Sequence, residues 1–179
     1  MGTGFNYNSD IIYNAPRYGV LDINNAVENI HSFQKKGLKV GLCHGCFDIM
    51  HFGHLRHLSS ARSLCDILFV SLTADRYVNK GPKRPIFKDT LRAELIAGLA
   101  CVNGSVISNF PTAIDMLDLL NPDIFFKGNE YHLAPEGRFA GFEKEKDFAT
   151  SKGIKVSFTF EETFSSTETL KRLYDAIID

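Results

Sequence analysis

An α/β fold is predicted, with about five parallel strands in one doubly wound sheet and helices on both faces. Three observations carry the prediction. Short apolar runs alternate with stretches of helical periodicity from Asp22 to the C-terminal helix, the pattern of strand–helix units crossing over a parallel sheet. The run DILFVSL at 66–72 is apolar almost throughout, which suits a strand covered on both faces. Loops separate the runs: the glycine-bearing turn at 44–54, the Pro- and Gly-bearing basic loop within 73–89 and GNEYHLAPEG after 127.

The elements follow in order. Residues 1–19 are polar and aromatic without periodicity, and read as an extension. Asp22 is placed to cap a helix whose apolar residues Ile23, Ala26, Val27, Ile30 and Phe33 fall at three- and four-residue spacing, and Gly37 ends it. The extension and this helix, 1–37, are read as one N-terminal unit, and 38–179 as the main domain. LKVGLC at 38–43 is a strand. HGCFDIMHFGH at 44–54 is a glycine-bearing turn into a second helix, with Leu55, Leu58, Ala61 and Leu64 along one side. After the strand at 66–72, residues 73–89 form a short helical turn and a basic loop. Asp89 is expected to cap a third helix with Leu91, Leu95, Ile96 and Leu99 inward. VNGSVIS at 102–108 is a strand, and Pro111 fits the first turn of the next helix. DIFFK at 123–127 is a strand, GNEYHLAPEG a loop, and a charged helix runs on to about Lys152. IKVSFTF at 154–160 is the last strand. Ser165 with Glu168 forms a capping box for a final helix over 166–178. The whole is Rossmann-like, and in such sheets ligands bind beyond the carboxyl ends of the strands.

Composition narrows the function. Apolar residues make up 44% and charged residues 23%, ordinary for a globular domain and wrong for a disordered chain. Twenty basic and 21 acidic residues give a net charge of −1, so no global field draws the chain to nucleic acid. No apolar run is long enough to span a membrane, and MGTGFNYNSD lacks the features of a secretory signal. The four cysteines, Cys43, Cys46, Cys65 and Cys101, are expected as free thiols in a reducing cytoplasm.

The chemistry concentrates in the first long turn. His51, Gly53 and His54 stand at the mouth of a helix, where unpaired N–H groups and a partial positive charge favour phosphate. Gly53 removes a side chain between the two imidazoles, and Gly45 opens the strand exit in the same way. Rival uses of these residues are a redox or Zn²⁺ module, with Cys43-x-x-Cys46 and His44, His51, His54 and His57 as its groups, and a dinucleotide site. The stretch GLCHGCFD lacks the G-x-G-x-x-G that a dinucleotide site needs.

Gly45, Phe47, Asp48, His51, Gly53 and His54 together form GxFDxxHxGH, and with this the chain resembles the nucleotidyltransferase superfamily related to cytidylyltransferases. The resemblance extends over 38–178. It includes Ala61 to Asp66, Asp75, Lys80-Gly81, Arg84-Pro85, Arg92, PDIFFKGNEY at 122–131 and Phe164-Ser165-Ser166-Thr167. It looks closest to the adenylyltransferase domain of heptose 1-phosphate enzymes, without the sugar-kinase domain often fused to it. Ala100 and Phe160 stand where glycerol-phosphate cytidylyltransferases carry arginines, which points away from that branch.

The resemblance implies transfer of a nucleotidyl group from an NTP to a phosphorylated acceptor, with release of pyrophosphate. It implies His51, His54, Lys80 and Arg84 as the groups at the reacting phosphates. Gly45, Cys46, Phe47, Asp48, Gly53, Arg92, Lys127, Gly128, Glu130, Ser165, Ser166 and Thr167 would bind the nucleotide, with Asp48 either bracing the turn or meeting metal-bound phosphates. Mg²⁺ is expected on the NTP, with no protein ligands assignable. A sugar 1-phosphate acceptor is expected, the alternative being a polyol phosphate or phosphonate with CTP. A homodimer and a separate upstream sugar kinase complete the expectation.

Overall fold

The computed structural model describes residues 16–133, 135, 139–160 and 166–178. Six strands form one sheet in the order β1-β4-β3-β2-β5-β6, and every pairing is parallel. They are β1 (Val20–Leu21), β2 (Val40–Gly45), β3 (Ile67–Thr73), β4 (Gly104–Ser108), β5 (Ile124–Gly128) and β6 (Lys155–Thr159). The helices are α1 (Ile23–Lys35), α2 (Phe52–Ser63), α3 (Asp89–Ala97), α4 (Ile114–Leu120), α5 (Asn129–His132), α6 (Ala140–Ser151) and α7 (Ser166–Ile178).

Strand pleating divides the core in two. Val40 and Leu42 of β2 join Ile67 and Phe69 of β3 in one cluster, beneath α1, α4 and α6. Their chain neighbours Cys43, Leu68 and Val70 join the other, beneath α2 and α3. Successive residues of a strand point to opposite faces, so a run apolar at every position serves both layers. This is why β3 is buried from Ile67 to Leu72.

Several expectations need correction. The sheet has six strands, because Val20 and Leu21 pair with Ser105 and Val106. The described end of the segment read as an extension, residues 16–19, runs on to this edge: Tyr18 N–H donates to the Asn103 carbonyl at 2.7 Å and the Asn103 side chain donates to the Pro16 carbonyl at 2.9 Å. Asp22 caps α1 as expected, its carboxylate accepting the Asn25 N–H at 2.9 Å. Asp89 instead lies inside the first turn of α3, and its carboxylate accepts the N–H groups of Thr90 and Asp75.

The buried face of α3 is Arg92, Ala93 and Ile96. Leu91 and Leu95 are 52% and 51% exposed, because the inward position is taken by the long stem of Arg92, whose head reaches the strand ends. Leu64, beyond the last turn of α2, is also exposed. Pro111 precedes α4 rather than opening it. Within the expected GNEYHLAPEG loop, residues 129–132 form the single turn α5. Ser165 lies outside the described residues, and with it the expected capping box. No described helix is long and apolar enough to cross a membrane.

Candidate functional site

In the strand order the chain reverses direction between β2 and β5. Their ladder runs from Gly41 and Ile124 to Cys43 and Phe126 and stops short of both carboxyl ends, at the switch point where open parallel sheets form a ligand crevice. The turn from β2 to α2 and the turn from β5 to α5 both open at this point.

The β2–α2 turn begins at Gly45 and passes through Phe47, whose φ of 47° is left-handed, an uncommon conformation for a bulky residue. His51 is the N-cap of α2, and its side chain makes no capping hydrogen bond. The first N–H groups of α2 thus remain open at their outer end. His51 and His54 stack with ring centroids 3.9 Å apart and planes at 23°. Phe47 leans on His54 with centroids 5.3 Å apart. The Nδ1 of His54 is enclosed with no hydrogen-bond partner.

Asp48 binds the turn to the basic loop. Its buried carboxylate pairs with Arg84 Nε and accepts the Ile86 N–H at 2.7 Å. Burial works against its charge, and the Arg84 and Ile86 donors overcome that, so its carboxyl sits below the usual range. Between the two readings open for Asp48, the geometry is that of a brace. Arg84 keeps one guanidinium nitrogen, Nη2, enclosed and without a hydrogen-bond partner. Lys80 is exposed on the same loop, and its charge reaches His51, His54 and Cys46.

Arg92 and Lys127, expected at the nucleotide, direct their charges at protein. Arg92 is 1% exposed. It donates to the Cys46 carbonyl, to Phe87 O at 2.9 Å, to Thr73 O at 2.8 Å and to the Asp75 carboxylate at 2.7 Å. One guanidinium therefore joins the ends of β2 and β3 to the basic loop. Lys127 pairs with Glu145 of α6 at 2.8 Å and lies about the rings of Phe125, Tyr131 and Phe142. Glu145 carried no signal in the sequence, being one acid in a charged helix. Gly128 packs so closely on the Glu130 carboxylate that a Cβ there would displace it. Ser166 and Thr167 begin α7, and Ser165 is outside the described residues.

Burial keeps the histidines of this region neutral. His54 is pushed down to about 3 by burial, then by His51, Lys80 and His57. His51 is lowered by burial and Lys80. His44 and His57 fall to about 4 through burial and the charge of Lys127. His44 shares a 2.8 Å hydrogen bond with Ser71, and His57 a 2.6 Å one with Thr159. An unfolded chain binds protons on His44 and His57 near pH 6.5, while the folded chain does so only near pH 4. Stability is therefore expected to be full above about pH 6.5 and to fall as the pH drops toward 4. Each of the two histidines costs about 1.4 kcal/mol per pH unit inside that window. Urea unfolding at pH 7 and pH 5 checks it, and equal midpoints would refute it.

Among the described residues no group of three His, Cys, Asp or Glu side chains is placed to hold a metal ion. The four cysteines are free, and burial raises the Cys43 thiol well above its ordinary range, the opposite of a reactive thiolate.

Residues 42–172 match the family model described as Cytidylyltransferase-like. The bifunctional protein HldE of Hyphomonas neptunium is 39% identical over 117 residues, covering 64% of this chain and 24% of that protein. HldE of Trichlorobacter lovleyi is 33% identical over 155 residues, 85% of this chain and 30% of that protein. The chain thus spans about a quarter of the length of the curated relatives it matches. Among solved structures, a lipopolysaccharide core biosynthesis protein from Thermoplasma volcanium superposes with TM-score 0.57 and 25% identity, over 72% of this chain and all of that one. Pantoate-beta-alanine ligase from Francisella tularensis, 14% identical with TM-score 0.57 over 92% of this chain and 80% of that one, shares the fold. The matched segment contains the stacked histidines, the Asp48 brace and the β2–β5 crevice, and the chain belongs to the cytidylyltransferase-like family of nucleotidyltransferases, on the branch it shares with the HldE proteins.

Proposed function

We propose that the chain joins an NTP to a sugar phosphate of the heptose 1-phosphate type, giving an NDP-sugar and pyrophosphate. The observation that carries the reading is the stacked His51–His54 pair at the open N-terminus of α2, set where β2 and β5 diverge. A phosphate oxygen of the acceptor attacks the α-phosphorus. The bond from that phosphorus to the bridging oxygen breaks, and pyrophosphate leaves with the electron pair. No covalent intermediate on the protein is required.

The chain's task is to hold two polyanions together and to meet charge that grows on the leaving oxygens. His51 and His54 stand with the N–H groups of α2 around the leaving group. As neutral rings they donate from one nitrogen each, and the negative charge of a bound triphosphate works against the burial that keeps them neutral. Lys80 reaches in from the basic loop. Arg84 offers the Nη2 that no protein group engages. Gly45 and Gly53 let the phosphates come near the backbone. Cys46, Phe47 and Asp48 shape the turn, and Arg92 fixes it from beneath. Gly128 and Glu130 border the crevice from the end of β5 and from α5, and Ser165, Ser166 and Thr167 are proposed as further nucleotide-binding residues.

Mg²⁺ is proposed to arrive on the NTP, held by phosphate oxygens and water. Asp48 already has both oxygens on protein donors, so it does not fit as a ligand, and no step here runs through the metal. The proposal also includes a cytoplasmic setting, a homodimer, and a separate kinase-class reaction to supply the phosphorylated sugar.

Pyrophosphate release, measured with ATP, CTP, GTP and UTP against a panel of sugar and polyol phosphates, tests the reading. Turnover is expected with a sugar 1-phosphate. Turnover confined to CTP with a polyol phosphate or phosphonate would move the chain to the alternative acceptor class. Absence of pyrophosphate with every pair would overturn the reaction itself.

A further inference from the structure

Glu145 lies on α6, outside every motif that points to the site, yet it meets both β5 and the start of α4. Its Oε2 pairs with Lys127 Nζ at 2.8 Å, and its Oε1 accepts the Ala113 N–H at 3.0 Å, just before α4. The side chains of Lys127 and Glu145 are only 7% and 10% exposed. The ammonium lies 5.0 Å from the ring centroid of Phe125, 4.9 Å from Tyr131 and 5.5 Å from Phe142. Tyr131 belongs to α5, and it packs in turn on Phe139 and Phe142 at 4.6 and 5.0 Å. The turn 128–133 at the β5 exit is thus tied on one side by His132, which packs on Phe158 and Phe160 at 4.9 and 5.8 Å, and on the other by Tyr131 over the Lys127 ammonium, which one carboxylate holds in place.

A buried ion pair adds little net stability, since desolvation of both charges offsets their attraction. An apolar pair of similar volume would pack as well. What the pair supplies is direction: it fixes the ammonium under three rings, and so fixes the backbone that follows Lys127. Its charge is already matched, so Lys127 is not a free cation for triphosphate.

We infer that Glu145 is a positioning residue which, acting through Lys127, holds the 128–133 turn in the shape that receives the nucleoside triphosphate. The inference rests on the nucleotidyl-transfer reading for its ligand, and on the pair's geometry for its mechanism.

The test uses the full chain, with ATP and CTP binding followed by calorimetry. The double variant Lys127→Met, Glu145→Gln removes both charges and keeps an oxygen for the Ala113 N–H. It is expected to melt within a few degrees of the wild type and to bind the preferred triphosphate at least tenfold more weakly. Unchanged affinity in a folded double variant overturns the inference, because packing alone would then suffice. Amide hydrogen exchange of Glu145→Gln guards against a double variant that fails to fold. Exchange over 128–133 is expected to quicken about tenfold while α2 is unaffected, and unchanged exchange there overturns the positioning role. A wild type that binds none of the triphosphates would remove the nucleotidyl-transfer reading, and the ligand of this turn with it. The exchange result would still decide whether the pair holds the turn.

Discussion

Replacing His54 by alanine is expected to lower turnover about a hundredfold or more, the cost of one well-placed donor lost from a developing negative charge, about 3 kcal/mol. The geometry explains why this imidazole matters more than an ordinary surface histidine. It is stacked on His51, backed by Phe47 and seated in the first turn of α2. Its ring is therefore aimed before the substrate arrives, so little reorganisation accompanies the reaction. Removing it also unsupports the His51 ring. The fold should survive, since His54 is only partly buried and neither His51 nor His54 belongs to a core cluster. The decisive measurement is kcat at saturating NTP, alongside the melting temperature. A variant with wild-type kcat would take the histidine pair out of the chemistry.

Arg92→Met should produce the largest loss of stability from a single position, about 3 kcal/mol or more. Hydrogen bonds to a charged group contribute roughly 1.5–3 kcal/mol each, and Arg92 makes several to the carbonyls of Cys46, Thr73 and Phe87. The methionine stem fills most of the space, so the loss reports the guanidinium rather than a cavity. Arg92→Lys keeps the charge but has no planar fork to reach three directions, and it should recover less than half of the loss. Urea denaturation of both variants measures this. A loss below about 1 kcal/mol in Arg92→Met would mean that the strand ends hold together without it.

How much of this was legible in the sequence depended on the range of the interaction. The strand Ile67–Leu72 announces itself because a parallel strand covered on both faces is apolar almost throughout, with Ser71 its one polar residue, and the other long strands show as shorter apolar runs between loops. Two residues, Val20 and Leu21, are too few to show any pattern, and only pairing with β4 makes them a strand. The His51–Gly53–His54 turn was readable because its parts are neighbours in the chain. Periodicity along α3 points Leu91 and Leu95 inward, whereas the structure buries Arg92 there and exposes both leucines. Periodicity ranks a leucine above an arginine, and it cannot see that the arginine's head has carbonyls within reach. Glu145 and Lys127 lie 18 residues apart, and neither the pair nor its aromatic surroundings leaves a local trace.

The short first strand bears on behaviour in concentrated solution. An open sheet margin invites strands from other molecules, and natural proteins blunt such margins with short or covered edges. Here the margin beyond β4 is occupied by Val20 and Leu21, with Asn103 fastening the backbone at Pro16 and Tyr18 just upstream. Among the described residues, an incoming strand would find two residues of ladder to copy, with Pro16, which has no N–H to donate, four positions ahead of them. Trimming the chain to begin after Leu21 would bare β4 along its length, and such a truncation should show its defect first as self-association.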